Sequence, residues 1–525
     1  MEKRFNITGC CYPDKHYMVD ISEKLIEIKR LVDKGEYFII NKARQYGKTT
    51  TLKMLRTYLG SSYVILSLDF QSIGAGDFQD EYRFSKVLAE MLLQTVRFHG
   101  KMSGYQMEAS ALDGLQRIAL QENEKVGLRG LLMALNQLCE NTPKPVVLMV
   151  DEVDSASNNQ VFLDFLGILR NAYMNREEVA SLQSVILAGV YDIKNLKHRI
   201  RSDEQHKYNS PWNIAADFKV DMSFRIQDIR GMLENYKTDK CIEMDVQKCA
   251  ELIHAYTSGY PYLVSYICKL VDEEQQLTWD KEGILKAVNI VVKGPNTLYD
   301  DMIKHVTEYR ELYDMLSNIL FGGEYYPYQV YDLAVDIGSM FGFIIDRNGE
   351  VAIANRIFET QLYNFFLAVE RKENNKAGDA LPDRNQFIKS GKLDMDMVMQ
   401  KFFEYYESLS EPEDEAFVEK CGRKLFLLYL RPIINGTGNY YIEDQSRTKY
   451  RTDVVVDYKG EQYIIELKIW RGEEYNRRGE EQLFSYLDAY GQKRGYLLSF
   501  CFQSNKARGM NEIKCGDKTI LEVVV

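Results

Sequence analysis

Tyr37-Phe38-Ile39-Ile40-Asn41-Lys42-Ala43-Arg44-Gln45-Tyr46-Gly47-Lys48-Thr49-Thr50-Thr51-Leu52 runs from an apolar stretch through a tight polar loop into a segment opened by Gly-Lys-Thr. Strand, loop and helix in that order form a phosphate-binding layout, because the free backbone N–H groups at a helix N-terminus point at phosphate oxygens. Within it, Gly47 permits close approach, Lys48 reaches the β- and γ-phosphates, and Thr49 offers a hydroxyl to Mg²⁺. Arg44, Gln45, Tyr46 and Thr50 join them as candidate nucleotide contacts. One part of the usual pattern is missing. The first glycine belongs five residues before Gly47, and Lys42 stands there.

Further along, Val146-Val147-Leu148-Met149-Val150-Asp151-Glu152-Val153-Asp154 is an apolar run that ends in acids. In an open α/β sheet ligands bind at the carboxyl ends of strands, so these carboxylates fall where a nucleotide would lie. Asp151 then suits a metal and its waters, and Glu152 suits polarisation of an attacking water. A buried strand with a solvated acidic end is the other reading of the same residues. Tyr63–Phe70 and Ser184–Val190 are two more continuous apolar runs, of the kind that strands buried on both faces show. Helical periodicity separates all four.

A length of 525 residues favours roughly three to five domains. The formal net charge of −11 argues against a uniformly basic nucleic-acid coat and leaves room for a local basic cleft. No apolar run approaches the roughly 20 residues of a membrane span, and no apolar segment follows Met1–Asn6, so a cytoplasmic protein without a membrane partner is expected. The nine cysteines are scattered and include no C-x-x-C pair, and the six histidines show no metal-ligand spacing.

Gln45-Tyr46-Gly47-Lys48-Thr49-Thr50 and Asp151-Glu152-Val153-Asp154, with Ser210-Pro211-Trp212-Asn213-Ile214 and Gly259-Tyr260-Pro261-Tyr262-Leu263, resemble the bacterial AAA-ATPase-like family of signal-transducing P-loop NTPases. Members often carry an Arg-rich loop in place of the first glycine. The resemblance spans roughly residues 1–370 and implies ATP held by Lys48 and Thr49, metal and water handled by Asp151 and Glu152, and a helical lid after the core. Arg199 and Arg201 are candidates to sense the γ-phosphate or simple surface arginines. Helical periodicity from Asp217 to about Gln276, with Ser223 as N-cap, suits the lid. A helix at Tyr309–Leu316 followed by a hairpin at Asn348-Gly349 suggests a winged helix, expected to pack as a regulatory arm.

The last domain carries a second constellation. Arg451–Tyr458 and Gln462–Ile469 are strand-like runs joined by Lys459-Gly460-Glu461. A two-residue turn at Lys459-Gly460 sets Asp453 opposite Glu466, with Lys468 on the same side and an apolar reverse face of Val454, Val456, Tyr463, Ile465 and Leu467. Asp453 and Glu466, with the Leu467 carbonyl, suit Mg²⁺, and Lys468 suits orientation of a water or compensation of developing charge. A surface ladder of alternating charges is the other reading. Gln482 and Tyr486 share one helix face nearby, and the helix from Glu411 to Leu430 offers Glu419 or Glu415 as a further acid.

Helix, hairpin with Asp and Glu-x-Lys, then helix with Gln-x-x-x-Tyr resembles the RecB-like branch of the PD-(D/E)XK nuclease superfamily over about residues 397–510, with Glu419 as the first acid. No Pro precedes Asp453. Basic residues collect here, Arg423, Arg477, Arg478 and Arg494 among them, where a phosphate backbone would be held.

These readings combine into an α/β protein. A P-loop parallel-sheet core (1–215), helical lid (216–299) and winged-helix-like module (300–370) lead through a linker (371–396) to a restriction-endonuclease-like α/β domain (397–525). The expected function is an ATP-binding or ATP-hydrolysing switch controlling a Mg²⁺-dependent nuclease, with Mn²⁺ a second candidate metal there. The substrate is nucleic acid, DNA ahead of RNA, and the ATPase core offers an oligomer contact. The alternatives are a signalling or scaffold NTPase with an inactive nuclease-like domain, and a defence or mobile-element ATPase needing a partner.

Overall fold

The computed structural model describes residues 2–103, 107–120, 125–190, 212–322, 324–373, 384–408, 419–434, 438–443, 452–470, 472–501 and 507–525. Arg199, Arg201, Ser210, Pro211, Glu415 and the helix start expected at 411–418 lie outside these residues. The chain folds as two compact units, Met1–Phe224 with Met340–Gly342, and Arg225–Ser339 with Phe343–Val525.

In the first unit, β1 (Phe38–Asn41), β2 (Val64–Asp69), β3 (Val146–Asp151) and β4 (Ser184–Gly189) form a parallel sheet in the order β1-β4-β3-β2. Every residue of β3 and β4 is buried, as continuous apolar runs require. One face, carrying Ile39, Leu66, Leu148 and Leu187, packs on α3 (Glu81–Ser103), α4 (Ala109–Leu120), α5 (Leu128–Glu140) and α6 (Gln160–Met174). Helix α2 (Lys48–Leu59) lies against β2, β3 and β4 and also meets α1 (Ser22–Asp33). The chain returns after β4 to bridge Ala216 to Phe38, along β1, and Trp212 stacks on Tyr37 at 6.0 Å. β1 thus lies between β4 and the Ala216 segment, and in open α/β sheets ligands bind outside the carboxyl ends of the strands where the order reverses.

In the second unit, helices Ile226–Lys240, Val246–Thr257, Pro261–Glu273 and Lys281–Lys293 follow one another. Ser223 is not the N-cap of the first. Arg225 holds that place, its N–H bonded to Asp228 Oδ2 at 2.8 Å, because the hydroxyl of Ser223 is engaged by Asp221. β5 (Ile344–Arg347) and β6 (Glu350–Ile353) form the hairpin expected at Asn348-Gly349. Of the 371–396 stretch, the helix Arg356–Glu373 takes the first residues. From Arg384 onward a short turn, the strands β7 (Ile388–Lys389) and β8 (Lys392–Leu393) and the start of helix Met395–Ser408 take the last.

The C-terminal part is a six-stranded mixed sheet of β9 (Gly438–Glu443), β10 (Thr452–Tyr458), β11 (Glu461–Ile469), β12 (Arg494–Phe500), β13 (Gly509–Cys515) and β14 (Lys518–Val524), in the order β13-β14-β12-β11-β10-β9. β10 and β11 are antiparallel, while β11, β12 and β14 run parallel. The hairpin closes at Lys459 (φ 48°) and Gly460 (φ 84°), and pairs Val454 with Ile465 through Tyr458 with Glu461. Asp453 stands one residue further along β10, in the register position that faces Glu466 if the ladder continues. The helix Glu473–Tyr490 packs Leu483, Tyr486 and Leu487 on Ile464, Leu497 and Ile520. Helix Glu419–Ile434 covers the opposite face, where a Cβ on Gly422 would fall 2.5 Å from the Phe500 ring.

Candidate nucleotide and metal sites

The loop between β1 and α2 turns at Gln45 (φ 59°) and Gly47 (φ 81°). These are its left-handed positions, so the pattern's first glycine is dispensable and Lys42 fits. Gly47 is the N-cap of α2, which leaves the first N–H groups of that helix open toward the loop. Lys48 is buried, and its ammonium donates to the carbonyls of Lys42 at 2.8 Å and Ala43 at 3.1 Å. Burial lowers the Lys48 pKa, while Asp154, Glu152 and Asp151 hold it up. Lys42 is half-buried and its pKa is likewise lowered by burial, against the opposing charge of Asp221. Arg44 and Gln45 are exposed at the loop tip. The ring of Tyr46 is largely sheltered, and its hydroxyl is pushed up to about 12 by burial and by Asp221. Thr50 accepts the backbone N–H of Cys11 at 3.2 Å.

The acids converge on the same place. Asp151 ends β3 buried, its carboxylate hydrogen-bonded to Thr49, and burial raises its pKa. A hydroxyl and a carboxylate in contact are the protein's usual share of a Mg²⁺ site, whose other ligands are waters and phosphates. Glu152 follows in the left-handed region (φ 55°), and its carboxyl is raised by burial and by Asp151. Two further acids matter here. Asp69 ends β2 in register with Asp151, and its charge adds to the upward push on Asp151 and Glu152. Asp154 Oδ2 accepts the N–H of Val190 at 2.6 Å, tying the acidic loop to the end of β4. Asp69 was legible, since it closes an apolar strand as Asp151 does. The Val190 contact is not a matter of spacing.

In the C-terminal sheet, Glu466 is 2% exposed and lies 3.4 Å from the Lys468 ammonium. Lys468 donates to Gln482 Oε1 at 3.3 Å, and Gln482 Nε2 donates to the Tyr486 hydroxyl at 3.3 Å. Four of the residues expected from sequence are thus brought into one continuous row. The row does not sit on an open surface, however. Val455 and Ile464, on the same face, are fully buried, because the helix Glu473–Tyr490 covers it. Leu467 is fully buried in β11, with its side chain on the other face. Asp453 and Glu419 are placed in β10 and at the start of the helix Glu419–Ile434, and their side chains lie outside what is described.

The basic residues divide. Arg423 is 4% exposed and donates to the Phe321 carbonyl, and Arg494 is held by Asp396 at 2.7 Å and Glu512 at 2.9 Å. Arg423 is buried on a protein group and is not available to a phosphate backbone, whereas Arg494 is partly exposed and paired with two carboxylates. Arg477 and Arg478 are exposed in surface ion pairs with Glu481 and Glu474, which are weak in water and readily exchanged. Among the described residues, no group of three or more His, Cys, Asp and Glu side chains is arranged to hold a metal ion, and no helix is long and apolar enough to cross a membrane.

No curated protein matches the chain. Among solved structures, the Walker-type ATPase PABY2304 of Pyrococcus abyssi is 14% identical with a TM-score of 0.47, over 68% of this chain and 99% of that one. The Aeropyrum pernix ORC1 protein in complex with DNA is 15% identical with a TM-score of 0.29, over 67% and 94%. The Aeropyrum pernix ORC2 protein in its ADPNP–ADP complexes is 11% identical with a TM-score of 0.34, over 66% and 91%. The family match is firmer. The sequence profile described as the AAA-like domain matches residues 14–321, more than half of the chain, and the protein therefore belongs to the AAA-like domain family, with a P-loop ATPase domain built on a parallel sheet.

Proposed function

We propose that the chain is a nucleotide-controlled nuclease, in which the P-loop ATPase domain governs a metal-dependent phosphodiesterase in the C-terminal sheet. The observation that carries this reading is the row Glu466–Lys468–Gln482–Tyr486, residues drawn from a strand and a helix and joined by successive contacts of 3.4, 3.3 and 3.3 Å. A buried carboxylate beside a partly sheltered ammonium is costly to keep in a protein, and a site for phosphate chemistry gives the pair a use.

At the nucleotide site, the N–H groups opening α2 and the Lys48 ammonium would take the phosphates, the ammonium leaving its two loop carbonyls. Thr49 and Asp151 would hold Mg²⁺, and Glu152 would orient the attacking water. At the second site Glu466, with Asp453 and the Leu467 carbonyl, would hold Mg²⁺ or Mn²⁺. A bound metal supplies Lewis-acid polarisation of a phosphoryl oxygen. Lys468 would stabilise charge as it develops, Gln482 would hold Lys468, and Glu419 would add a carboxylate. DNA is favoured over RNA as substrate.

The test is cleavage of single-stranded DNA, double-stranded DNA and RNA with Mg²⁺ or Mn²⁺, in the presence of ATP, a non-hydrolysable analogue, or neither. Metal-dependent cleavage that Lys468→Ala abolishes and that responds to nucleotide is the expected result. No cleavage under any condition sinks the nuclease half. A second reading, a signalling NTPase with an inactive C-terminal domain, draws on the burial of Arg423 and the pairing of Arg494 with two carboxylates. Nucleic-acid binding without cleavage or metal uptake favours it.

A further inference from the structure

The row at Lys468 is held by a helix whose backbone touches the lysine stem. A Cβ on Gly479 would fall 3.0 Å from Cδ, Cε and Nζ of Lys468, tighter than ordinary van der Waals contact. Lys468 therefore runs along the helix Glu473–Tyr490 at the one position where that helix presents no side chain. A shift of the helix by a fraction of an ångström would move both the stem and the Gln482 amide that receives its ammonium. Something must fix the helix at that tolerance.

One turn before Gly479, on the face turned to the sheet, is Asn476, 6% exposed. Its Nδ2 donates to Glu522 Oε1 at 2.7 Å and to Glu480 Oε1 at 3.0 Å, and its Oδ1 accepts from Ser499 Oγ at 3.4 Å. Glu522 on β14 is 4% exposed and Ser499 on β12 is fully buried. Parallel register puts Glu466, Leu497 and Glu522 in one row across the sheet, and Lys468 and Ser499 in the next. The carboxamide thus reaches from the helix to β12, which adjoins β11, and to β14 beyond it, on the face that carries Glu466 and Lys468. Buried charge-assisted hydrogen bonds have narrow geometry, and an amide with both ends engaged cannot rotate.

We infer that Asn476, anchored by Glu522 and Ser499, and Gly479 are positioning residues for Lys468: they set the height and register of the helix so that Gln482 meets the ammonium beside Glu466. The inference rests on the nuclease reading for its catalytic consequence and on geometry alone for the placement of Lys468.

The test uses the full chain and two readouts. In metal-dependent cleavage, Asn476→Ala and Gly479→Ala lower kcat about 10–100-fold, the range for groups that orient a site from behind, with KM changed less than about twofold. Glu522→Gln, which keeps an acceptor for Asn476, retains most of the parental kcat, and Glu522→Ala does not. Gly479→Ala guards against simple unfolding, because alanine favours the helix more than glycine does. The second readout is the time profile of Lys468 acylation at one fixed pH, which reports how the ammonium is enclosed, followed by mass spectrometry with the exposed Lys304 as internal control. Asn476→Ala and Gly479→Ala displace the Lys468 profile and leave Lys304 unchanged. If the parent chain cuts nothing while the Lys468 profile still responds, the nuclease reading falls and the positioning stands. Parental kcat and a parental Lys468 profile in both variants overturn the inference.

Discussion

The loop at Gly47–Thr49 and the row at Glu466–Lys468 would both handle phosphate, and they are built on opposite principles. The loop spends almost no side chain: open N–H groups at the start of α2 and the Gly47 turn do the shaping, and Lys48 rests on two carbonyls of its own loop. Its parts are contiguous in sequence. The row is made of side chains from β11 and from the helix Glu473–Tyr490, and it is supported from β12 and β14, so it exists only once the sheet is assembled. A backbone site tolerates change around it, as Lys42 in place of glycine shows. A side-chain site depends on every neighbour that fixes its geometry.

The largest effect should come from Lys468→Ala. Loss of a positioned charge near a developing anion costs about 10²–10³ in rate, so cleavage measured at saturating metal should fall by that amount while nucleotide affinity stays put. An unchanged cleavage rate would remove the proposed asymmetry between a site of chemistry and a site of control. Lys48→Ala comes next. Removing a charge-assisted contact worth about 1.5–3 kcal/mol weakens ATP binding roughly 10–150-fold by calorimetry, and metal-dependent cleavage should then lose its response to ATP.

Gly47→Ala and Gly460→Ala sharpen the contrast. Both glycines are left-handed, at φ 81° and φ 84°, with nothing within 4 Å of an added Cβ. Each substitution should cost about 1–2 kcal/mol of stability from the backbone alone, and only Gly47→Ala should also weaken ATP binding. Equal effects on nucleotide affinity would break the distinction.

The smallest effect concerns Asp457, fully enclosed in the second unit. Its carboxylate is bonded to the Tyr256 hydroxyl of the helix Val246–Thr257. Burial raises its pKa, so the folded protein keeps that proton to higher pH than the unfolded chain does. The associated stability is whole below the ordinary carboxyl range and is lost as pH rises through the raised value. Asp457→Asn, which keeps an acceptor for Tyr256, should therefore match the parent in acid. At neutral pH it should gain on the order of 1 kcal/mol, the scale of one buried hydrogen bond, read from melting temperatures across pH. A variant less stable than the parent at neutral pH would show that the charge itself is used there.

Much was legible because it is local. Four apolar runs became the four strands of the first sheet, the acids at the end of Val146–Asp151 met the phosphate loop, and Lys459-Gly460 set the hairpin register. Glu466, Lys468, Gln482 and Tyr486 were found by periodicity on one strand and one helix, and helical and strand periods are properties of sequence. What periodicity cannot reach is which surfaces meet. Nothing in the spacing of Arg423 says that it is buried on the Phe321 carbonyl, nor that Arg494 is taken by Asp396 and Glu512.

By itself, then, the sequence determined the nucleotide loop, the strand ends with their carboxylates and the residues of the second row, since each is encoded within one turn or one strand. Tertiary structure alone decided that the second row is roofed by a helix, that Asp154 is tied to Val190 at the end of β4, and that Asn476 is locked between Glu522 and Ser499. Those are long-range pairings. They follow from which apolar faces pack together, and burial then fixes the partners that each polar group must find.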